Sequence, residues 1–478
     1  MVTGLLILIP LVFSLAVFAL RTEKWIKTVA LAGSLATFLL SLYALYLYVT
    51  QCHCQLLLNL GQNDLLGISL RFGIDGISLL LILLTAFLTP LIILASLRHE
   101  YKTPSAFYGL ILLMEMAFMG VFSACDGIIF YIFWELALIP AWFICAVWGG
   151  NDRIRITFKF FIYTFTGSLF MLVTLIYLYL RTPIPHSFGI MALYAAPLSY
   201  TGQAFVFCGF FLAFAIKIPI FPFHTWQPDT YAESPATGTM LLAGIMLKMG
   251  TYGLLRFLLP VCGLFLKEWN IPIMALSITG IVYASIIAIR QNDLKRLVAY
   301  SSIAHMGLIA AGTFALNQQA LQGAVIQMVS HGINITGLFI MISFMEKRTN
   351  TREISSLGGI AGQAPWFAAL FMIILLGSIA LPGTNGFIGE FLLLLGIFKV
   401  HAWMAGLAGL TVIFSAVYML WMYQRTMLGA PGEKTEHYMD LTIIEKLTLI
   451  PVIIMIFWIG LFPGFFLNLA EPAIQDNR

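Results

Sequence analysis

FAIKIPIFPFHTWQPDTYAESPATGTMLLAGIMLKMGTYGLLR, residues 214–256, decides how the rest of the chain is read. The stretch is apolar enough for a membrane interior, yet it holds two lysines, Lys217 and Lys248, and closely spaced prolines. Pro219 and Pro222 have no N–H to give, so the carbonyls of Ala215 and Ile218 lose their helical donors right beside Lys217. Free backbone groups at membrane depth are tolerated only where protein or water satisfies them. The segment therefore predicts a broken membrane helix with Lys217 at a hydrated break. The stretch LPGTNGFIGE, residues 381–390, repeats the logic: a second break, followed by an acid, Glu390.

The surrounding composition agrees. Of 478 residues, 60% are hydrophobic and only 10% are charged, with a mean hydropathy of +0.95. A soluble chain carries about 25% charged residues, so a soluble fold is excluded. The net charge of +4 is thinly spread, without the basic, aromatic-interleaved runs of a nucleic-acid surface. Six cysteines are too few and scattered for a disulfide framework. Cys52-His53-Cys54 has no second ligand pair nearby, and no metal site is expected there. The first apolar run, Leu5 to Leu20, lacks a basic leader and a small-residue cleavage site and reads as a retained span.

Apolar runs bounded by breakers and charges predict an all-α polytopic membrane protein in one domain, 1–478, with about fourteen spans. They lie near 3–20, 27–50, 72–97, 104–124, 127–148, 157–180, 204–222, 235–259, 271–289, 294–315, 320–345, 365–396, 401–424 and 443–467. The seventh and twelfth are interrupted by proline and glycine. Outside Lys217 and Lys248, seventeen basic residues fall in loops after odd-numbered spans and six on the other side. The positive-inside rule then places both termini on the outer side.

The functional signal is what remains charged inside the spans. An ionised group at a span centre costs roughly 2.5–3.5 kcal/mol on insertion scales, so such residues mark ion paths. Here they are Glu115, Glu135, Lys217, Lys248 and Glu390, joined by His305 and His331. Serial titratable groups are what a proton relay requires. Glu135, with Pro140 freeing the carbonyl of Leu136 next door, is suited to oppose Lys217 and lower the cost of burying either charge. Lys248 has no acid within helical reach on its own span, which suits a group that exchanges its proton. Two broken helices in corresponding halves point to inverted repeats with the path at their interface.

The stretches quoted above, with DLKRLVAYSSIAHMG, MVSHGIN and LPGTNGFIGEF, resemble the antiporter-like membrane subunits of respiratory complex I and of the related multisubunit cation/proton antiporters. Glu390 stands where the M-type branch of that family carries glutamate and its sister branches carry lysine. The resemblance implies two inverted five-helix repeats, 104–259 and 271–424. It assigns Glu135 and Lys217 to a glutamate–lysine pair, Lys248 to the central connecting lysine and Glu390 to the terminal acid. His305 and His331 match histidines of the same axis, His224 follows the break, and Glu115 matches a further family acid. It also implies proton translocation driven by redox chemistry elsewhere. The chain itself would carry no cofactor, with FMN, iron–sulfur clusters and quinone in partner subunits. Its neighbours would be the antiporter-like subunits L and N and the lipid of an energy-transducing, bacterial inner membrane, with no nucleic acid. The competing readings are a sodium/proton antiporter subunit of the same superfamily, a standalone transporter and a passive scaffold. A redox subunit would need axial histidine pairs or thiolate clusters, which the spacing does not offer.

Overall fold

The computed structural model describes residues 1–50, 56–63 and 66–476. Cys52, His53 and Cys54 lie outside the described residues. The chain opens with α1 (Val2–Ala19) and α2 (Glu23–Thr50), followed by an antiparallel hairpin of β1 (Leu58–Asn63) and β2 (Ile68–Phe72). Next come α3 (Gly76–Ser96), α4 (Pro104–Ser123), α5 (Gly127–Trp148), α6 (Arg153–Arg181), the short α7 (Ile190–Tyr194), α8 (Tyr200–Lys217) and α9 (Gln227–Glu233). The rod Ala236–Val261 consists of α10 (Ala236–Leu241), α11 (Leu247–Gly253) and α12 (Leu259–Val261), joined by π-turns at Leu242–Met246 and Leu254–Leu258. The second half holds α13 (Gly263–Ile289), α14 (Leu294–Thr313), α15 (Gln318–Thr349), α16 (Ile360–Gln363), α17 (Pro365–Ser378), α18 (Asn385–Val400), α19 (Ala402–Met427), α20 (Ile443–Leu461) and α21 (Pro463–Asp476).

Among the described residues, twelve helices are long and apolar enough to cross a membrane. Of the fourteen expected stretches, the two outside that set are α14, which opens on Lys295 and Arg296, and the α17–α18 pair, which is split as its proline and glycines require. The seventh stretch is split as well, between α8 and α9.

Burial separates the lipid face from the interior. The most apolar windows of α15 and the rod are 100% and 94% buried, whereas α1, α2, α19 and α20 bury only a third of theirs. The centre of the bundle is therefore α15 against the rod, although α15 carries Gln327, Ser330, His331 and Asn334. Aspartates fix the starts of several spans. Asp126 accepts from the N–H groups of Ile128 and Ile129, and Asp75 from Ser78, each satisfying donors that a helix start leaves open.

The hairpin, where the sequence reading has only a loop and the start of a span at 72, caps one end of the bundle. Its polar alternation is too short to stand out beside long apolar runs. Asp126 ties it down, accepting from Ser69 N–H at 2.9 Å and Ser69 Oγ at 3.1 Å.

Candidate functional site

Protein donors close part of the first break. Ile218 N–H donates to Phe214 O and Ile220 N–H to Ala215 O, both at 2.8 Å, and the Trp226 indole N–H donates to Ile216 O at 2.9 Å. The carbonyl of Ala215 is thus satisfied within the chain. The second break closes in the same way: Ile379 N–H donates to Leu375 O at 3.0 Å and Leu381 N–H to Leu376 O at 3.1 Å. Matching the two sets of bonds places Ser378 where the first break has Lys217.

Lys217 is buried at the end of α8. Its Nζ has no hydrogen-bond partner among the described residues and lies 5.0 Å from the centroid of the Trp134 ring. Glu135, the next residue on α5, faces Ser168 and the charge of Lys217, but the two ends do not reach ion-pair distance. The expected Glu135–Lys217 pair is therefore an electrostatic partnership, not a closed salt bridge. The indole face supplies a cation–π contact, which is stronger where the cation is desolvated.

Gly250 sets the approach of α8 to the rod. A Cβ there would stand 2.6 Å from Ile218 Cγ1 and 3.2 Å from Lys217 Cβ, so only glycine lets the two lysine-bearing segments come this close. Two residues earlier on the rod, Lys248 is fully buried. Its Nζ donates to Ala243 O at 2.7 Å and stands 2.9 Å from His331 Nδ1. The π-turn makes the first bond available: Leu247 N–H donates to Leu242 O, leaving the Ala243 carbonyl free for the amine. Gly244 makes the second possible, since a Cβ there would lie 2.3 Å from Thr336 Oγ1 on α15. With Lys248 donating, His331 carries its own proton on Nε2.

The row continues across α15. The rings of His331 and His305 lie 6.1 Å apart, and His305 Nδ1 is 2.8 Å from Glu390 Oε1, an ion-pair distance without the alignment of a hydrogen bond. Gln327 Nε2 donates to the same carboxylate oxygen at 3.2 Å. A cavity of about 10 Å³ lies between these groups, lined by His305, Gln327, His331, Asn334, Ile335 and Ser378. That is room for about one water. His305 Nε2, His331 Nε2, Gln327 Oε1 and Asn334 Oδ1 are buried without partners among the described residues, which gives such a water the polar contacts it needs.

The structure thus brings Lys248, His331, His305 and Glu390 into one row, and packs the Lys217 end of α8, which Glu135 faces, against the rod at Gly250, two residues from Lys248. It does not bring in the remaining two candidates. The His224 ring stacks on Phe221 and meets Tyr283 edge-on, contacts that belong to the flank of the break. Glu115 is completely buried on α4, with neither carboxylate oxygen partnered among the described residues. Sequence reasoning passed over Gln327, Asn334 and Ser378. Gln327, His331 and Asn334 follow one another at helical spacing on one face of α15, and that periodicity is a signal that could have found the first two.

The chain matches two family models: one described as NADH:quinone oxidoreductase/Mrp antiporter, TM, over residues 124–415, and one described as NADH-ubiquinone oxidoreductase chain 4, amino terminus, over residues 5–122. It is 40% identical to NADH-quinone oxidoreductase subunit M of Rickettsia conorii, over 95% of this chain and 92% of that one. It is 38% identical to F(420)H(2) dehydrogenase subunit M of Methanosarcina mazei, over 97% of this chain and 95% of that one. Among solved structures it is similar to a chain of respiratory complex I from Thermus thermophilus, with a TM-score of 0.91, 33% identity and 99% of each chain covered.

Proposed function

Because the chain belongs to the NADH:quinone oxidoreductase/Mrp antiporter membrane family, we propose that it is the M-type proton-translocating subunit of a respiratory NADH:quinone oxidoreductase. The observation that carries this reading is the contact chain Lys248–His331–His305–Glu390, closed at 2.9 Å at one end and 2.8 Å at the other.

The residues act as follows. Lys217, held against Trp134 and within the field of Glu135, is the loading group. A change in that field, imposed by a neighbouring subunit, shifts the balance of charge between Lys217 and Lys248. Lys248 passes a proton to His331 Nδ1, and the proton on His331 Nε2 leaves through the cavity water toward His305. Glu390 stabilises the proton when it reaches His305, and Gln327 orients the carboxylate. Moving a charge against a membrane potential costs about 2.3 kcal/mol per 100 mV. Two unit charges 4 Å apart at an effective dielectric of 20 interact by about 4 kcal/mol, so local rearrangements of charge suffice in scale.

In this reading FMN, iron–sulfur clusters and quinone reside in partner subunits, and subunits L and N flank this one in a bacterial inner membrane. α14 and the α17–α18 pair also cross the bilayer, making fourteen spans with both termini outside. The segments 104–259 and 271–424 are inverted repeats, a reading supported by the matching closure of the two breaks. The relative from Methanosarcina mazei belongs to an F(420)H(2) dehydrogenase, so the electron donor is set by the partner subunits. Purification from the native membrane tests the assignment. Co-migration with an NADH-oxidising activity supports it; migration with cation-transport subunits alone, or with F(420)H(2) oxidation, overturns it.

A further inference from the structure

A cleft of about 890 Å³ with a mixed polar and apolar lining opens on the end of the bundle that carries the β1–β2 hairpin. Its wall includes Ser69, Arg71, Asp75, Ser78, Tyr252 and Arg256. Asp75 and Arg256 form an ion pair across it, and Asp75 also holds the start of α3 by accepting from Ser78 N–H at 3.0 Å. At the inner end, Tyr252 is buried, and its single hydroxyl hydrogen can point to Phe122 O, 3.1 Å away, or to Ser78 Oγ, 2.9 Å away.

Lys248 and Tyr252 stand four residues apart within α11 and share a face of the rod, and beyond the second π-turn the Arg256 guanidinium carbon lies 5.5 Å from the centroid of the Tyr252 ring, so the three make one polar stripe. The stripe begins at the lysine whose amine meets His331 and ends in the cleft. The Ser78–Tyr252 hydroxyl pair stands between, and either hydroxyl can be the donor, as a relay requires.

We propose that this cleft is a second aqueous access to Lys248, with Tyr252 and Ser78 as the hydroxyl relay between them; the proposal rests on the reading of Lys248 as a proton carrier. In the transfer, the Lys248 side chain turns from His331 toward Tyr252, one helical turn away. Its ammonium gives a proton to the Tyr252 oxygen as the phenolic proton passes to Ser78 Oγ and the serine proton passes to water in the cleft. One proton moves, no other bond changes, and rotation of the two hydroxyls resets the relay.

The test uses the assembled complex in sealed vesicles, reading protons moved per electron during donor oxidation, with subunit composition checked on native gels. Tyr252→Phe and Ser78→Ala should each lower the proton-to-electron ratio, with donor oxidation in uncoupled vesicles within twofold of the parent. Met191, 78% exposed at the cleft's rim, supplies an independent arm. Met191→Cys carrying a bulky membrane-impermeant maleimide should lose pumping on labelling, because the mouth is plugged. A full ratio in Tyr252→Phe, or in labelled Met191→Cys, overturns the access while Lys248→Leu still abolishes pumping. A full ratio in Lys248→Leu overturns the carrier reading itself, and the access with it.

Discussion

Replacing Glu390 by glutamine removes a charge while keeping the shape of the side chain, and the structure sets the size of the effect. The carboxylate oxygen lies 2.8 Å from His305 Nδ1, and both side chains are buried. At an effective dielectric of 20, unit charges at that distance attract by about 6 kcal/mol. In Glu390→Gln that attraction is gone, and at 1.4 kcal/mol per tenfold the step that brings a positive charge to this end of the row becomes less favourable by about four orders of magnitude. Aspartate keeps the charge but draws it back by about 1.5 Å, one carbon–carbon bond, which leaves about 4 kcal/mol. The opposing potential costs about 3.5 kcal/mol at 150 mV. Glu390→Gln should therefore abolish pumping at any potential, whereas Glu390→Asp should pump at low potential and fade as 150 mV is approached. The assay is dye-detected proton uptake by vesicles holding the assembled complex, with the potential clamped by a potassium gradient and donor oxidation followed in parallel. Parental pumping by Glu390→Gln against 150 mV would show that the carboxylate charge does not stabilise the proton at this end of the row. A Glu390→Asp variant as inactive as the glutamine variant at low potential would refute its electrostatic basis.

Other outcomes follow from the packing and from the ends of the spans. Gly244→Ala puts a methyl 2.3 Å from Thr336 Oγ1, an overpacking that costs about 1–3 kcal/mol and pushes Lys248 away from His331. Pumping and thermal stability should both fall, and Thr336→Ala in the same chain should restore them; no recovery in the double variant would show that the helix approach is not the cause. His99, beyond the end of α3, is held down to about 4 by burial and then by Lys347. The unfolded chain binds a proton there below about 6.5 and the folded chain does not, so this group's stabilisation is present above that pH. It is lost as the pH falls toward 4, by up to about 1.4 kcal/mol per unit. His99→Gln should flatten the decline in melting temperature between pH 6.5 and 4.5, and an unchanged slope would discount it.

How much of this was legible beforehand depends on what each residue signals. Lys217, Lys248 and Glu390 stand out because the surrounding apolar runs make any charge conspicuous. The two breaks stand out because prolines and glycines have fixed backbone consequences. For Glu135 and Lys217, sequence reports that opposite charges share a region, but Trp134, whose ring faces the amine, looks like one more aromatic in an aromatic-rich span. The order of the row depends on helix crossings set by Gly244 and Gly250, and a glycine in a membrane helix does not announce what packs against it. The π-turn that frees the Ala243 carbonyl has no compositional mark at all. The hairpin hid for the opposite reason, since short polar strands carry a weak signal next to spans of twenty apolar residues.

In the proposed path a proton crosses the interior of this chain through the Lys248 amine. Its most direct test is the number of protons moved per electron by the Lys248→Leu complex in sealed vesicles. Donor oxidation should continue once the vesicles are uncoupled, with coupled proton movement lost. Proton movement at the parental ratio would contradict it.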